Sequence, residues 1–219
     1  MTYPVTIVDD FFKDPDAIVE MAEGMKYYNP NTGNWPGTRT KQLHVENSRF
    51  FNYFGKKIYS LFYDTSPEYW KLQCHFQKIV PFCDDKYGKK NRGWIHQDHD
   101  CWFGGIVYLS KDPEPDTGTS IYLAKDGYDF QFRPELKEKL YRSESVDDEQ
   151  YDIEFDKMDD QYVETVRVNN VYNRLLLFGG DAYHGVQTFG LSPRLTLNFF
   201  GLDQSGKMPP LVRSGWGGC

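Results

Sequence analysis

The sequence predicts a mainly β fold, a sandwich or barrel of the jelly-roll kind with flanking helices and an N-terminal helical layer. Three observations carry that reading. From Leu72 onward, short runs rich in aromatic and branched residues follow one another with turn signals between them. Two amphipathic helical patterns precede those runs. Aromatic residues make up 17% of the chain, with 16 Tyr and 16 Phe, a composition that favours pleated, half-buried strands.

In chain order, TIVDDFFKDPDAIVEMAEGMKYY gives a short strand, a turn and a helix. Asp14 is placed to cap that helix and Pro15 to open it, and Ile18, Val19, Met21, Ala22 and Met25 recur at helical spacing. NPNTGNWPGT follows as a loop. A second helix is expected over Ser48 to Phe62, where Phe50, Phe51, Phe54, Ile58 and Phe62 form an apolar stripe. The strands are then KLQCHFQKIV, GGIVYLS, TSIYLA, YVETVRV, NRLLLFGG and RLTLNFFG. Residues 126–160 are polar, acidic in their second half, and carry one helix-like piece, PELKEKLYR. They are expected to form an insertion between strands within one domain spanning 1–219.

Charge narrows the partners. A formal net charge of −7 disfavours phosphate backbones and anionic lipid, because both are held by clustered Lys and Arg. A small molecule or peptide is the expected partner, without nucleic acid or membrane. The start, MTYPVTIVDDFF, carries no secretory pattern and no apolar stretch is long enough to span a bilayer, so a cytoplasmic location is expected. Cys74, Cys83, Cys101 and Cys219 stand at irregular spacings without CxxC, and reduced, mostly buried thiols are expected.

Five histidines are present, and two of them lie in GWIHQDHDCW. In an extended segment His96 and Asp98 project to one face, a two-ligand pincer, whereas His99 and Asp100 sit where the strand leaves the sheet. By itself such a triplet is as readily a polar surface loop. A third ligand must come from elsewhere, and His184 in FGGDAYHGV is the candidate, at a turn after an apolar strand. What strengthens it is RLTLNFF, where Arg194, Thr196 and Asn198 alternate with Leu195, Leu197 and Phe199. A guanidinium and a hydroxyl on one face of a core strand need an anion, since an unpaired buried charge is costly. A carboxylate satisfies both, gripped by the planar fork of Arg194. The plain alternative is a salt bridge to one of the chain's many acids. Two histidines and a carboxylate leave half the positions around iron(II) open, as in non-haem oxygenases.

His96-x-Asp98, the distal His184 and Arg194-x-Thr196 resemble the iron(II)- and 2-oxoglutarate-dependent dioxygenases, most closely their prolyl 4-hydroxylase-like branch. The resemblance covers most of the chain except 126–160. It implies a double-stranded β-helix, iron on His96, Asp98 and His184, and the far carboxylate of 2-oxoglutarate on Arg194 and Thr196. GIVYLSKDPEPDTGTSIYL is similar to the strand, turn and strand that follow HxD in this branch, which implies a cosubstrate contact for Tyr108. It further implies that O2 is consumed, succinate and CO2 are released, and a C–H bond of a peptide side chain or small amino acid-like molecule is hydroxylated. With Asp98 present, the position that halogenases leave for halide is closed.

Several departures bear on substrate. Asp98 and His184 lie further apart than in compact members, and the excess is residues 126–160, a lid, a recognition element or a remote elaboration. Many prolyl 4-hydroxylases carry Lys where Arg194 stands, which weakens any inference to proline. Tyr87 lies near the position of an upstream family tyrosine without matching it securely. His75 alternates with Gln73 and Gln77 and could line the cavity, but lacks a paired carboxylate. AlkB-type demethylation would need a basic face that this chain lacks. The rival from another class is a non-enzymatic jelly-roll module holding a structural metal or none.

Overall fold

The computed structural model describes residues 5–30, 34–61, 69–98, 100–127 and 134–204. The chain opens with β1 (Val5–Val8) and α1 (Pro15–Glu23), where the Asp14 carboxylate accepts the Ala17 N–H at 3.1 Å and Pro15 starts the first turn. β2 (Thr38–Arg39), a single turn α2 (Leu43–Glu46) and α3 (Ser48–Tyr59) follow, the last capped by Asn47, which accepts the Phe50 N–H at 3.0 Å. The expected second helix therefore begins as read but ends at Tyr59, and Phe62 lies outside the described residues. Next come β3 (Trp70–Ile79), β4 (Phe103–Tyr108), β5 (Thr119–Ala124), α4 (Pro134–Tyr141), α5 (Asp148–Asp159), β6 (Tyr162–Val168), β7 (Leu175–Gly179), β8 (Tyr183–Val186) and β9 (Arg194–Gln204). All seven expected strands form, the opening one as β1. β2, β8, α2 and α5 were not anticipated, the first three because two to four residues display no period.

Two antiparallel sheets make up the β layer. The larger has the order β1-β7-β4-β9-β3-β2 and the smaller β6-β5-β8. Strand alternation divides the larger sheet into two faces. On one, Leu72, Cys74 and Phe76 of β3 and Leu195, Leu197 and Phe199 of β9 join Phe50, Phe54 and Ile58 of α3 in the main core. This face is covered by the N-terminal helices. Phe54 packs edge-on against Phe199 at 5.2 Å between ring centres, and Phe50 stacks on Phe76 at 6.2 Å. Gly55 lets the helix approach β3, since a Cβ there would meet the Trp70 ring at 2.5 Å. Phe54→Ala is expected to cost about 3–5 kcal/mol, read as a lowered urea midpoint at constant m-value.

The opposite face is polar along β3 and β9. Register places Gln77 across from Thr196, and His75 across from Asn198. On the far side of β9, Thr196 faces Tyr108 and Asn198 faces Ile106. This face and the smaller sheet enclose the cleft described below.

Within 126–160, the described residues form α4, which PELKEKLYR anticipates, and α5, which was missed. Tyr151, Phe155 and Met158 recur at helical spacing in that acidic stretch and are all fully buried. They pack with Leu136, Leu140 and Tyr141 against Trp94, Ile95, Tyr122 and Phe189. The acidic face of α5 meets the basic run Lys89–Arg92. Asp156 pairs with Lys89 at 2.7 Å, Asp148 with Lys90, and Asp159 takes both η nitrogens of Arg92 at 3.1 Å. Those pairs set register more than stability, because exposed ion pairs contribute little. Among the described residues, no helix is long and apolar enough to cross a membrane. Cys74 is buried, whereas Cys83 and Cys101 are only partly so, which corrects the expectation that the thiols are mostly buried. Cys219 lies outside the described residues.

Candidate metal centre

The backbone brings the two histidines together. His96 donates its N–H to the His184 carbonyl at 3.0 Å, and His184 returns the bond to His96 at 2.9 Å. This isolated antiparallel bridge places the imidazoles side by side, 4.4 Å between ring centres. Gly93 donates to Val186 at 2.9 Å and Asp98 to Gly180 at 2.9 Å, so the HxD segment runs along β8 as an incipient fourth strand of the smaller sheet. Two sequence expectations change here. His184 stands on a strand rather than a turn, and HxD lies on an extended segment pinned by one bridge rather than in a regular strand.

Each imidazole is oriented by a carbonyl two residues earlier. His96 Nδ1 lies 2.8 Å from the Trp94 oxygen, and His184 Nδ1 lies 2.9 Å from the Ala182 oxygen. A carbonyl only accepts, so both protons sit on Nδ1 and both Nε2 lone pairs are left for a ligand. Asp98 completes the group, with Oδ1 3.9 Å from His96 Nε2 and Oδ2 3.5 Å from His184 Nε2. The three donor atoms lie within 4.8 Å of one another, and no other such cluster occurs among the described residues. Gly104 leaves room for the carboxylate, since a Cβ there would come within 3.0 Å of Asp98 Oδ2. His184 is buried against Phe178, ring centres 4.4 Å apart. The His96 side chain remains 43% exposed to the cleft. Even so, desolvation within the cleft, followed by His184 and Lys137, holds its pKa well below the usual imidazole value.

A cleft of about 1270 Å³ contains all three residues, with Arg194 and Thr119 in its lining. Arg194 is buried. Its Nε donates to the Thr117 carbonyl at 3.0 Å, and its guanidinium lies 5.3 Å from the centre of the Tyr108 ring. Tyr108 donates to Thr119 Oγ1 at 2.9 Å. Arg194 Nη2 has no hydrogen-bond partner, and neither has the buried Thr196 Oγ1. Among the described residues no carboxylate pairs with Arg194, so the salt-bridge alternative has no support there. Tyr108 and Thr196 stand behind the cleft wall as cross-strand neighbours, while Arg194 lines it.

Other sequence candidates fall elsewhere. His75 is buried opposite Asn198 with neither ring nitrogen partnered, and burial and then Arg39 push its pKa well below the usual value. His44 packs against Phe51 on the helical side. Tyr87 is exposed and bonds Asp116 at 3.0 Å, away from the cleft. Asp100 is exposed at the cleft mouth, and His99 lies outside the described residues. Sequence reasoning missed Arg39, Trp35, Lys137 and Thr119, all of which line the cleft. Trp35 came from a stretch read only as a loop, Arg39 stands just beyond that stretch where no element was expected, and Lys137 came from a helix read only as an insertion.

A scan against known families matches residues 1–200 to the family of unknown function DUF6445. The chain belongs to the DUF6445 family. A search of curated protein sequences found no match. Solved structures do resemble this DUF6445 chain. A prolyl hydroxylase from Trichoplax adhaerens, in complex with a hypoxia inducible factor oxygen degradation domain peptide fragment, is 12% identical with a TM-score of 0.54, covering 92% of this chain and 84% of that one. HygX from Streptomyces hygroscopicus, with nickel and 2-oxoglutarate bound, is 14% identical with a TM-score of 0.56, over 91% and 83%. A prolyl-4-hydroxylase from Pseudomonas putida is 14% identical with a TM-score of 0.51, over 93% and 94%. At these identities the likeness speaks for the fold, and the fold is the jelly roll of the 2-oxoglutarate oxygenases.

Proposed function

We propose that this chain is an iron(II)- and 2-oxoglutarate-dependent dioxygenase that hydroxylates a C–H bond of a peptide side chain or small amino acid-like substrate. In this reading His96, Asp98 and His184 hold the iron, and Arg194, Thr196 and Tyr108 hold the far carboxylate of the cosubstrate. One observation carries it. The same cleft contains two Nε2 lone pairs converging on a carboxylate and the buried Arg194 guanidinium with Nη2 unpartnered, and the adjoining Thr196 hydroxyl is buried and unpartnered too. A divalent cation satisfies the first group and a dicarboxylate the second.

When bound, iron(II) with 2-oxoglutarate and O2 supplies the oxidation, and succinate and CO2 leave. The chain's own residues position and shield. The Trp94 and Ala182 carbonyls keep Nδ1 protonated and fix both rings, so neither ligand must reorient to bind. The Thr117 carbonyl and the Tyr108 ring fix the Arg194 fork, and its Nη2 is left for a carboxylate. Phe178 covers His184 on the apolar side and limits access of water. The single-domain organisation belongs to the same proposal, with 126–160 as part of the cleft wall. Free thiols at Cys74, Cys83 and Cys101 suit the reducing conditions of a cytoplasmic setting.

Anaerobic titration with iron(II) and then 2-oxoglutarate tests this directly. A weak visible charge-transfer band saturating at one equivalent of each is expected. Full metal loading without that band would favour the non-enzymatic binding module.

A further inference from the structure

Arg194 and Thr196 are not the only side chains around the polar face of β3 and β9 with atoms left over. Among the described residues, Trp35 Nε1, Asn198 Oδ1 and both ring nitrogens of His75 are also buried without a hydrogen-bond partner. These three residues belong to one connected wall. His75 faces Asn198 across the β3–β9 pair and stacks on Phe200, ring centres 6.1 Å apart. Trp35 carries the Arg39 guanidinium 4.4 Å from its ring centre, and Arg39 Nε donates to Gln77 Oε1 at 3.3 Å. Trp35, Gln77, Asn198 and Phe200 all line the cleft that holds His96, Asp98 and His184.

The hydrogen bonds that do form fix the chemistry of the atoms that are left. The Pro36 carbonyl only accepts, so the Gln77 amide turns its nitrogen to it and keeps its oxygen for Asn198. That oxygen only accepts as well, so Asn198 gives it Nδ2 and retains Oδ1, an acceptor. Trp35 Nε1 is a donor. Burial, followed by the Arg39 charge, holds the His75 pKa well below its usual value, so the ring is neutral and carries one donor and one acceptor. Donors and acceptors are thus mixed in one wall, and leaving them buried without partners is costly. A carboxylate or phosphate would answer the donors but set its oxygens against Asn198 Oδ1 and the His75 lone pair. An amide joins an N–H and a carbonyl in one planar group, and answers both kinds.

We propose that this wall is a second subsite of the cleft, in which Trp35, His75 and Asn198 take a neutral carboxamide of the substrate. The amide N–H goes to Asn198 Oδ1, its carbonyl accepts from Trp35 Nε1, and the His75 ring supplies the remaining donor and acceptor. Assigning that group to a substrate rests on the dioxygenase reading. The subsite itself is built from residues outside the metal and cosubstrate sets, so it is measurable without either.

Four probes on one skeleton test it: phenylpropionamide, its N-methylamide, the methyl ester and the free acid. Ligand-observed NMR measures each on the full chain, first without metal and then loaded anaerobically with iron(II) and 2-oxoglutarate. In both states at least one amide is expected to bind about tenfold tighter than the ester, which lacks the N–H, and the acid, which lacks it and is charged. The tighter of the two amides shows whether a side-chain carboxamide or a peptide bond is the group taken. Asn198→Leu is expected to reduce the preference to within about twofold. Trp35→Phe keeps a ring beneath Arg39 and His75→Phe keeps the stack on Phe200, and each is expected to weaken the preference severalfold. His75→Phe is also expected to leave the thermal midpoint unchanged or higher, because two buried nitrogens without partners are removed with the ring packing kept. Equal binding of amides and ester, tighter binding of the acid, or a preference unchanged in all three variants overturns the proposal. So does absence of binding by every probe at millimolar concentration, which would leave these atoms to ordered water alone. Loss of the chelate band with the amide preference intact would instead sink the dioxygenase reading and leave the subsite standing.

Discussion

His184→Ala is expected to lower iron(II) affinity by at least about a hundredfold and to abolish oxygen-dependent 2-oxoglutarate turnover. The size follows from the geometry. His184 supplies a lone pair already fixed by its Nδ1 bond to Ala182, and its removal leaves one histidine and one carboxylate, a pair that exposed surfaces offer frequently. Isothermal titration under anaerobic conditions measures the affinity, and the thermal midpoint separates loss of metal from loss of fold. The backbone bridge to His96 needs no side chain, so the strand is expected to stay in place. A variant that keeps full iron affinity and turnover would sink the triad.

Arg194→Ala is expected to raise the 2-oxoglutarate requirement about a hundredfold or more while iron binding without cosubstrate changes little. Deleting one partner of a buried, charge-assisted pair typically costs about 2–5 kcal/mol. The same substitution has an opposite expected effect on the empty protein. Arg194 is buried with one nitrogen unpartnered, so its removal relieves a desolvated charge and leaves the thermal midpoint unchanged or higher. Lower cosubstrate affinity without lower stability is the signature of a binding residue. A drop in both would identify Arg194 as a structural cation instead.

The strands from Trp70 onward were legible because each is long enough to show alternation, and β9 shows it most plainly, with Arg194, Thr196 and Asn198 facing away from the core. β8 was not legible. It is four residues long, Tyr183–Val186, and exists because β5 and the HxD segment flank it. The candidate metal ligands His96, Asp98 and His184 were recognisable from residue type and order, but their convergence depends on that bridge, which no local pattern announces. α5 was hidden by composition. Its acids outnumber its apolar residues, and what makes it a helix of the fold is the burial of Tyr151, Phe155 and Met158 together with cations contributed by Lys89, Lys90 and Arg92. Arg39 could not be weighed from sequence, because only the fold sets it in the cleft wall against Trp35 and Gln77.

Trp94 is where two parts of the molecule meet. Its carbonyl oxygen orients His96, its ring nitrogen donates to the Tyr151 hydroxyl of α5 at 2.8 Å, and Tyr141 of α4 belongs to the same apolar cluster. The helical insertion is therefore bolted to the carbonyl that sets the proton of His96. Cleft wall and candidate centre share a joint in this fold, and a change that disturbs Tyr151 is passed through Trp94 to the orientation of His96.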